Sequence, residues 1–184
     1  MNVQDIAQLV SGLAAFTTVG LAIIELSSRS SAKRADTAME IYENFLLVTQ
    51  QTVYSMSSME SLVKNYHALS PNDRKAYAQT HCIDSNMPSL VQSIEHDFIG
   101  GSNPRKEENK RNSKVILDWG GTVLNMYVMT NTFYTAIIED STKPLDEIKA
   151  HFERIQKIHM RLMPSTEEAA NLLHMNLRKT HNYS

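Results

Sequence analysis

Nineteen consecutive residues without a charge, from Ile6 to Ile24, stand near the start of the sequence. As an α-helix rising 1.5 Å per residue they would extend about 28 Å, close to the roughly 30 Å of a bilayer's hydrocarbon core. A cleavable signal peptide begins with basic residues and ends in small ones, whereas here Asp5 precedes the stretch and Glu25 follows it. We therefore expect a single, uncleaved transmembrane helix at 1–28.

Basic residues lie on only one side of this stretch. Arg29, Lys33 and Arg34 follow it, and no basic side chain precedes it. Positively charged flanks remain in the cytoplasm. The sequence thus predicts an N-terminus outside the cell and a cytoplasmic domain at 29–184.

The polar and small residues of the predicted span lie on one helical face, because they recur at spacings of three and four. Uncharged polar groups in hydrocarbon cost free energy unless they find partners or water. This face should therefore either pack against other copies of the helix or line a wet lumen, and both alternatives require a homo-oligomer. The predicted pore-lining residues of this face are Gln4, Gln8, Ser11, Ala15, Thr18, Ala22, Glu25 and Arg29.

The remainder of the chain is predicted to be all-α, with four to six helices. Apolar residues recur at helical spacings, and Val and Ile form no alternating runs. Ser70 and Pro71 are typical of a helix start, and Ser165 with Glu168 would form a capping box for a last helix. A break in the first long helix is possible on sequence grounds near 55–58. The ten methionines fall at helical spacings and are expected in the core.

Charge and cysteine content narrow the classes of function. The net charge of -2 argues against a general nucleic-acid binder, so any RNA contact would have to be local. Cys82 is the only cysteine, which excludes an internal disulfide. The segment 100–112 has no apolar side chain and is expected to be a solvated loop, with contact to lipid headgroups or RNA as the alternative.

One pair of residues fits a catalytic pattern. Arg154 and His159 match the R-x4-H spacing of HEPN domains, in which the arginine steadies a phosphate and the histidine serves as acid or base in RNA cleavage without metal. The alternative is a packing or partner site on a helix face. A second match, R-x6-H, runs from Arg74 to His81. No zinc pattern and no phosphate-binding glycine loop is present in the sequence, so we expect no metal and no cofactor.

The predicted span, its polar face, the helical domain and the Arg154 to His159 motif together resemble the small membrane accessory proteins of type VI-B CRISPR-Cas systems. That resemblance implies a HEPN-like cytoplasmic helical bundle and a location in the bacterial inner membrane. It also implies a homo-oligomeric ring, most simply an octamer, that acts beside an RNA-guided, RNA-targeting nuclease. Direct RNA binding is left open.

Three functions follow as alternatives. The first is a homo-oligomeric pore that enhances RNA-targeting antiphage defence by depolarising the inner membrane. The second is a membrane-tethered HEPN ribonuclease that uses Arg154 and His159. The third is a non-catalytic membrane scaffold.

Overall fold

The computed structural model describes the backbone of residues 3–83, 86–101 and 106–181, and the side chains of residues 32–83, 86–101 and 106–180. Within these ranges all regular structure is helical, which confirms the predicted all-α class. The five helices are α1 (Val3–Asn65), α2 (Pro71–His81), α3 (Met87–Gly100), α4 (Glu107–Glu139) and α5 (Leu145–His181).

The predicted transmembrane helix requires correction. In the described part of the chain, no helix is long and apolar enough to cross a membrane. This finding overturns the fold prediction of an N-terminal span followed by a separate bundle, and with it the predicted single-pass inner-membrane location. The backbone of α1 instead continues without a break to Asn65. Gln8, Ser11 and Thr18 interrupt the apolar stretch, and each polar side chain in hydrocarbon costs free energy.

Two predicted helix breaks are also wrong. α1 runs through Ser55 and Ser58, whose hydroxyls donate to the carbonyls of Gln51 and Ser55 within the same helix. α5 continues through Pro164. Ser165 and Thr166, which follow this proline, both donate to the carbonyl of Leu162, so Ser165 does not begin a new helix.

The predicted start of α2 is confirmed. Ser70 is the N-cap, its Oγ accepts from the amide of Asp73 at 3.2 Å, and Pro71 occupies the first turn. The Gly100–Gly101 end of α3 is likewise as predicted. The solvated loop predicted at 100–112 is shorter than expected, because α4 already begins at Glu107. Residues 102–105 lie outside the described part of the chain.

The core lies where the C-terminal half of α1 meets α3, α4 and α5. α5 packs along both α1 and α4, while α2 covers the C-terminal half of α4. The rings of Phe45 and Trp119 meet at the centre, with centroids 4.9 Å apart. The largest fully buried side chains are Phe45, Met59, Leu62, Tyr66, Met87, Ile94, Ile116, Trp119, Met126, Phe133, Tyr134 and Ile137.

Candidate functional site

The predicted catalytic residues, Arg154 and His159, both lie on α5. Their side chains project from different sides of the helix. Five residues of α-helix bring the second side chain to about 140° from the first around the helix axis. Arg154 is exposed and His159 is half-buried. Among the described residues, no hydrogen bond or ion pair joins the two. The two side chains therefore do not meet within one chain, and their role in RNA cleavage stays a prediction.

The electrostatic neighbour of Arg154 is His151, not His159. Burial is the larger cause of a lowered pKa at His151, and the charge of Arg154 is the second. The pKa of His159 is also lowered from its usual 6.5, by burial alone. The edge of the His151 ring faces Phe133, with centroids 5.8 Å apart. His151 thus joins the α4–α5 contact, a role that the R-x4-H spacing did not indicate.

In the second match, Arg74 and His81 each make contacts that stabilise the fold. The guanidinium of Arg74 lies 3.9 Å above the ring of Tyr66, and its Nε donates to the Tyr66 carbonyl at 2.8 Å. Its Nη1 donates to the carbonyl of Ser141 at 3.2 Å, which ties α2 to the connection before α5. His81 stacks on Tyr77 at a centroid distance of 4.0 Å. Arg74 and His81 are held by separate partners.

The predicted pore-lining face lies outside the described side chains. The structure gives only backbone for this part of α1, so the arrangement of these side chains is untested. The residues concerned are Gln4, Gln8, Ser11, Ala15, Thr18, Ala22, Glu25 and Arg29.

A cleft of about 840 Å³ opens at the end of the bundle, between α1, the end of α3, the start of α4 and the end of α5. Four cationic side chains and two carboxylates, those of Asp97 and Glu108, line the cleft. The cations are Lys33, Arg34, Lys106 and Lys179. They come from three helices, and all four are exposed.

None of these four cations forms an ion pair with a residue that the structure describes. Among the described residues, Asp97 has one ion-pair partner, His96, whose Nδ1 lies 3.1 Å from the carboxylate. Lys106 is the N-cap of α4 and makes no side-chain capping hydrogen bond. Glu107 and Glu108 in the first turn of α4 offset the positive end of its dipole, so the positive charge of the cleft comes from the four side chains.

The inner wall of the cleft is apolar. Ala38 and Ile41 are buried on the α1 side, and Phe98 stands half-buried on the α3 side. Leu172 and Met175 close the wall from α5, where Met175 keeps 49% of its surface exposed. The cleft thus combines a charged and polar rim with a smaller apolar wall.

Sequence reasoning found the parts of this cleft but not the cleft itself. Lys33 and Arg34 were interpreted as a topology signal beside a membrane span, and Lys106 as part of a solvated loop. Nothing in the local pattern indicates that two basic clusters 70 positions apart meet at the end of α5. The one local hint is the apolar run that ends just before Gly100–Gly101. Because an apolar run packs against the bundle, it places the start of the following loop beside the bundle.

Among the described residues, no group of three or more His, Cys, Asp or Glu side chains is placed to hold a metal ion. Comparison of the chain with protein-family models, with curated proteins and with solved structures finds no match. The assignment of function therefore depends on the geometry of the chain itself.

Proposed function

We propose that this protein is a non-catalytic helical binding protein whose cleft takes a phosphate-bearing small molecule. The observation that carries the proposal is the set of four cations around one cleft, none of which forms an ion pair with a described residue: Lys33, Arg34, Lys106 and Lys179. Like charges held together repel one another, and an anion between them relieves that repulsion. Lysine and arginine are the side chains that bind phosphate groups.

Of the three functions considered from the sequence, this proposal shares only the absence of catalysis with the third, the membrane scaffold, which needs the same transmembrane helix as the pore. The pore required the transmembrane helix that is overturned above. The ribonuclease requires Arg154 and His159 at one phosphate; within one chain α5 directs them about 140° apart, and their role in RNA cleavage stays a prediction.

Thermal unfolding of the full chain with increasing pyrophosphate or ADP tests the proposal. A ligand that binds only the folded state raises the melting temperature by mass action. We expect a rise that saturates, and that shrinks as salt is added because the rim charges are exposed. No shift with either compound would overturn the proposal.

A charge-reversed variant, Lys33→Glu with Lys179→Glu, should abolish the shift. The matched control is Lys149→Glu with Lys157→Glu, which changes the net charge equally at two exposed positions of α5 outside the cleft. If the control variant loses the shift as completely as the cleft variant, binding is a matter of overall charge and the cleft is not the site.

A further inference from the structure

We infer that the ligand of the cleft is a nucleotide, with its phosphates at the cationic rim and its base against the apolar wall. This inference rests on the proposed function, because it names the class of phosphate compound. The first reason is size. A cleft of about 840 Å³ is in the range of sites that enclose whole small molecules, and an inorganic phosphate would leave most of it empty.

The second reason is the apolar wall between Ile41, Phe98 and Met175. A phosphate alone gains nothing from these side chains, whereas a flat aromatic base buries its faces against them. Methionine adapts its shape to a planar ring, and Met175 has the exposed surface to do so.

The third reason is the polar groups beside that wall, which separate a nucleotide from a phosphorylated acyl chain. Asn112 and Asn176 line the cleft, and their side-chain amides make no hydrogen bond to any described residue. Each amide offers donors and an acceptor, which match the edge of a base. A hydrocarbon chain would leave both amides without partners, at a cost in free energy.

The fourth reason is Asp97, because its negative charge determines which end of the ligand can lie beside it. Its two carboxylate oxygens are held by Ser93 Oγ at 3.2 Å and His96 Nδ1 at 3.1 Å. A carboxylate repels a phosphate but accepts hydrogen bonds from ribose hydroxyls or an exocyclic amine. Asp97 therefore favours a ligand whose neutral, donor-bearing part lies away from its phosphates, as in a nucleotide.

Isothermal titration of the full chain with ADP, GDP, UDP, pyrophosphate and dodecyl phosphate tests the inference. We expect at least one nucleoside diphosphate to bind about tenfold more tightly than pyrophosphate, because base stacking adds to the same phosphate contacts. Dodecyl phosphate should bind no more tightly than pyrophosphate. Pyrophosphate binding that equals the best nucleotide, or dodecyl phosphate binding that exceeds it, would overturn the nucleotide and leave the phosphate site standing. If none of the five binds, both proposals fail.

A pair of methionine variants locates the base. Met175→Ser should weaken binding of the preferred nucleotide and leave pyrophosphate binding unchanged, since only the base contacts the wall. Met163→Ser is the matched control, because Met163 is on the same helix, is 57% exposed and lies outside the cleft. Both positions are exposed, so neither variant should impair folding. Equal nucleotide affinity in the two variants would remove the base from this wall and contradict the inference.

Discussion

Ser58 and Tyr134, which are 76 positions apart, share a buried hydrogen bond with 2.5 Å between Oγ and the phenolic oxygen. Ser58 Oγ also donates to the Ser55 carbonyl at 3.1 Å, so its single proton is already used and Tyr134 is the donor. The hydroxyl of Tyr77 donates to the Ser58 carbonyl at 3.0 Å. Ser58 therefore connects α1 to both α2 and α4.

Tyr134→Phe should destabilise the protein by about 1 kcal/mol, because it deletes a buried hydrogen bond and keeps the ring. Ser58→Ala should cost a similar amount. Since both changes remove the same bond, the double variant should lose less than the sum of the two. Urea unfolding of the four proteins measures this coupling, with Ser61→Ala as an exposed control on α1. Fully additive losses would show that the bond contributes nothing.

Alkaline pH should weaken the fold through Tyr134. Burial of the phenol is the largest cause of a pKa raised well above the usual 10. A group whose pKa is raised on folding stabilises the protein below its unfolded pKa and loses that contribution as pH rises. Stability should thus fall from about pH 10 upward, and fall less steeply in Tyr134→Phe. Parallel curves for the two proteins between pH 9 and 11 would contradict this account.

Gly120 and Gly121 are neighbours on α4 that should respond differently to alanine. A Cβ at Gly121 meets nothing within 4 Å, so Gly121→Ala should stabilise the helix by about 0.5 to 1 kcal/mol. A Cβ at Gly120 would collide with the carboxylate of Glu95 and lie 3.0 Å from Val91 Cγ1. We expect Gly120→Ala to be less stable than Gly121→Ala by at least about 1 kcal/mol in chemical denaturation.

Glu95→Ala should reduce the difference in stability between Gly120→Ala and Gly121→Ala, since it removes the side chain that a Cβ at position 120 would meet first. The contact with Val91 would remain. If Gly120→Ala and Gly121→Ala prove equally stable, α3 and α4 do not approach as closely as the structure shows.

Helix positions were predictable from the sequence where local chemistry decides them. Ser70 and Pro71 begin α2, and Gly100 ends α3, because caps and glycines act within one turn. Breaks within long helices were not predictable. Ser165 has the signature of a cap, yet α5 passes through it because the helix packs on both sides along α1 and α4.

The face that each helix buries was harder to predict. Met39, Leu46 and Val53 are apolar, lie seven residues apart on one side of α1, and yet are 39%, 48% and 56% exposed, whereas Phe45, next to Leu46, is buried. The pattern marks helical periodicity, and the number of neighbouring helices decides how wide a face is covered. The methionines show the same limit. Met59 and Met126 are in the core as expected, whereas Met160 and Met163 are exposed, contrary to prediction.

The buried hydroxyl of Thr130 has no hydrogen-bond partner among the residues that the structure describes, although its side chain is fully enclosed. A buried polar group without a partner costs free energy that an apolar group of the same shape does not. Thr130→Val should therefore raise the free energy of unfolding by about 1 kcal/mol. Thr132→Val is the control, because exposed Thr132 donates to the Val128 carbonyl. A loss of stability in Thr130→Val would indicate that the hydroxyl has a bound partner in solution.

Mild acid should destabilise the protein through His151 and His159. Burial is the first cause of the lowered pKa at both, and Arg154 adds to it at His151. A histidine whose pKa is lowered on folding contributes stability above its unfolded pKa of about 6.5, and that contribution is lost as pH falls below it. The variant with both residues changed to Gln should therefore lose less stability than the parent between pH 7 and 5. Urea midpoints across that range measure the effect, with His67→Gln as the control for loss of an exposed histidine. If the parent and the double variant show the same acid dependence, burial does not hold the two rings in their neutral form.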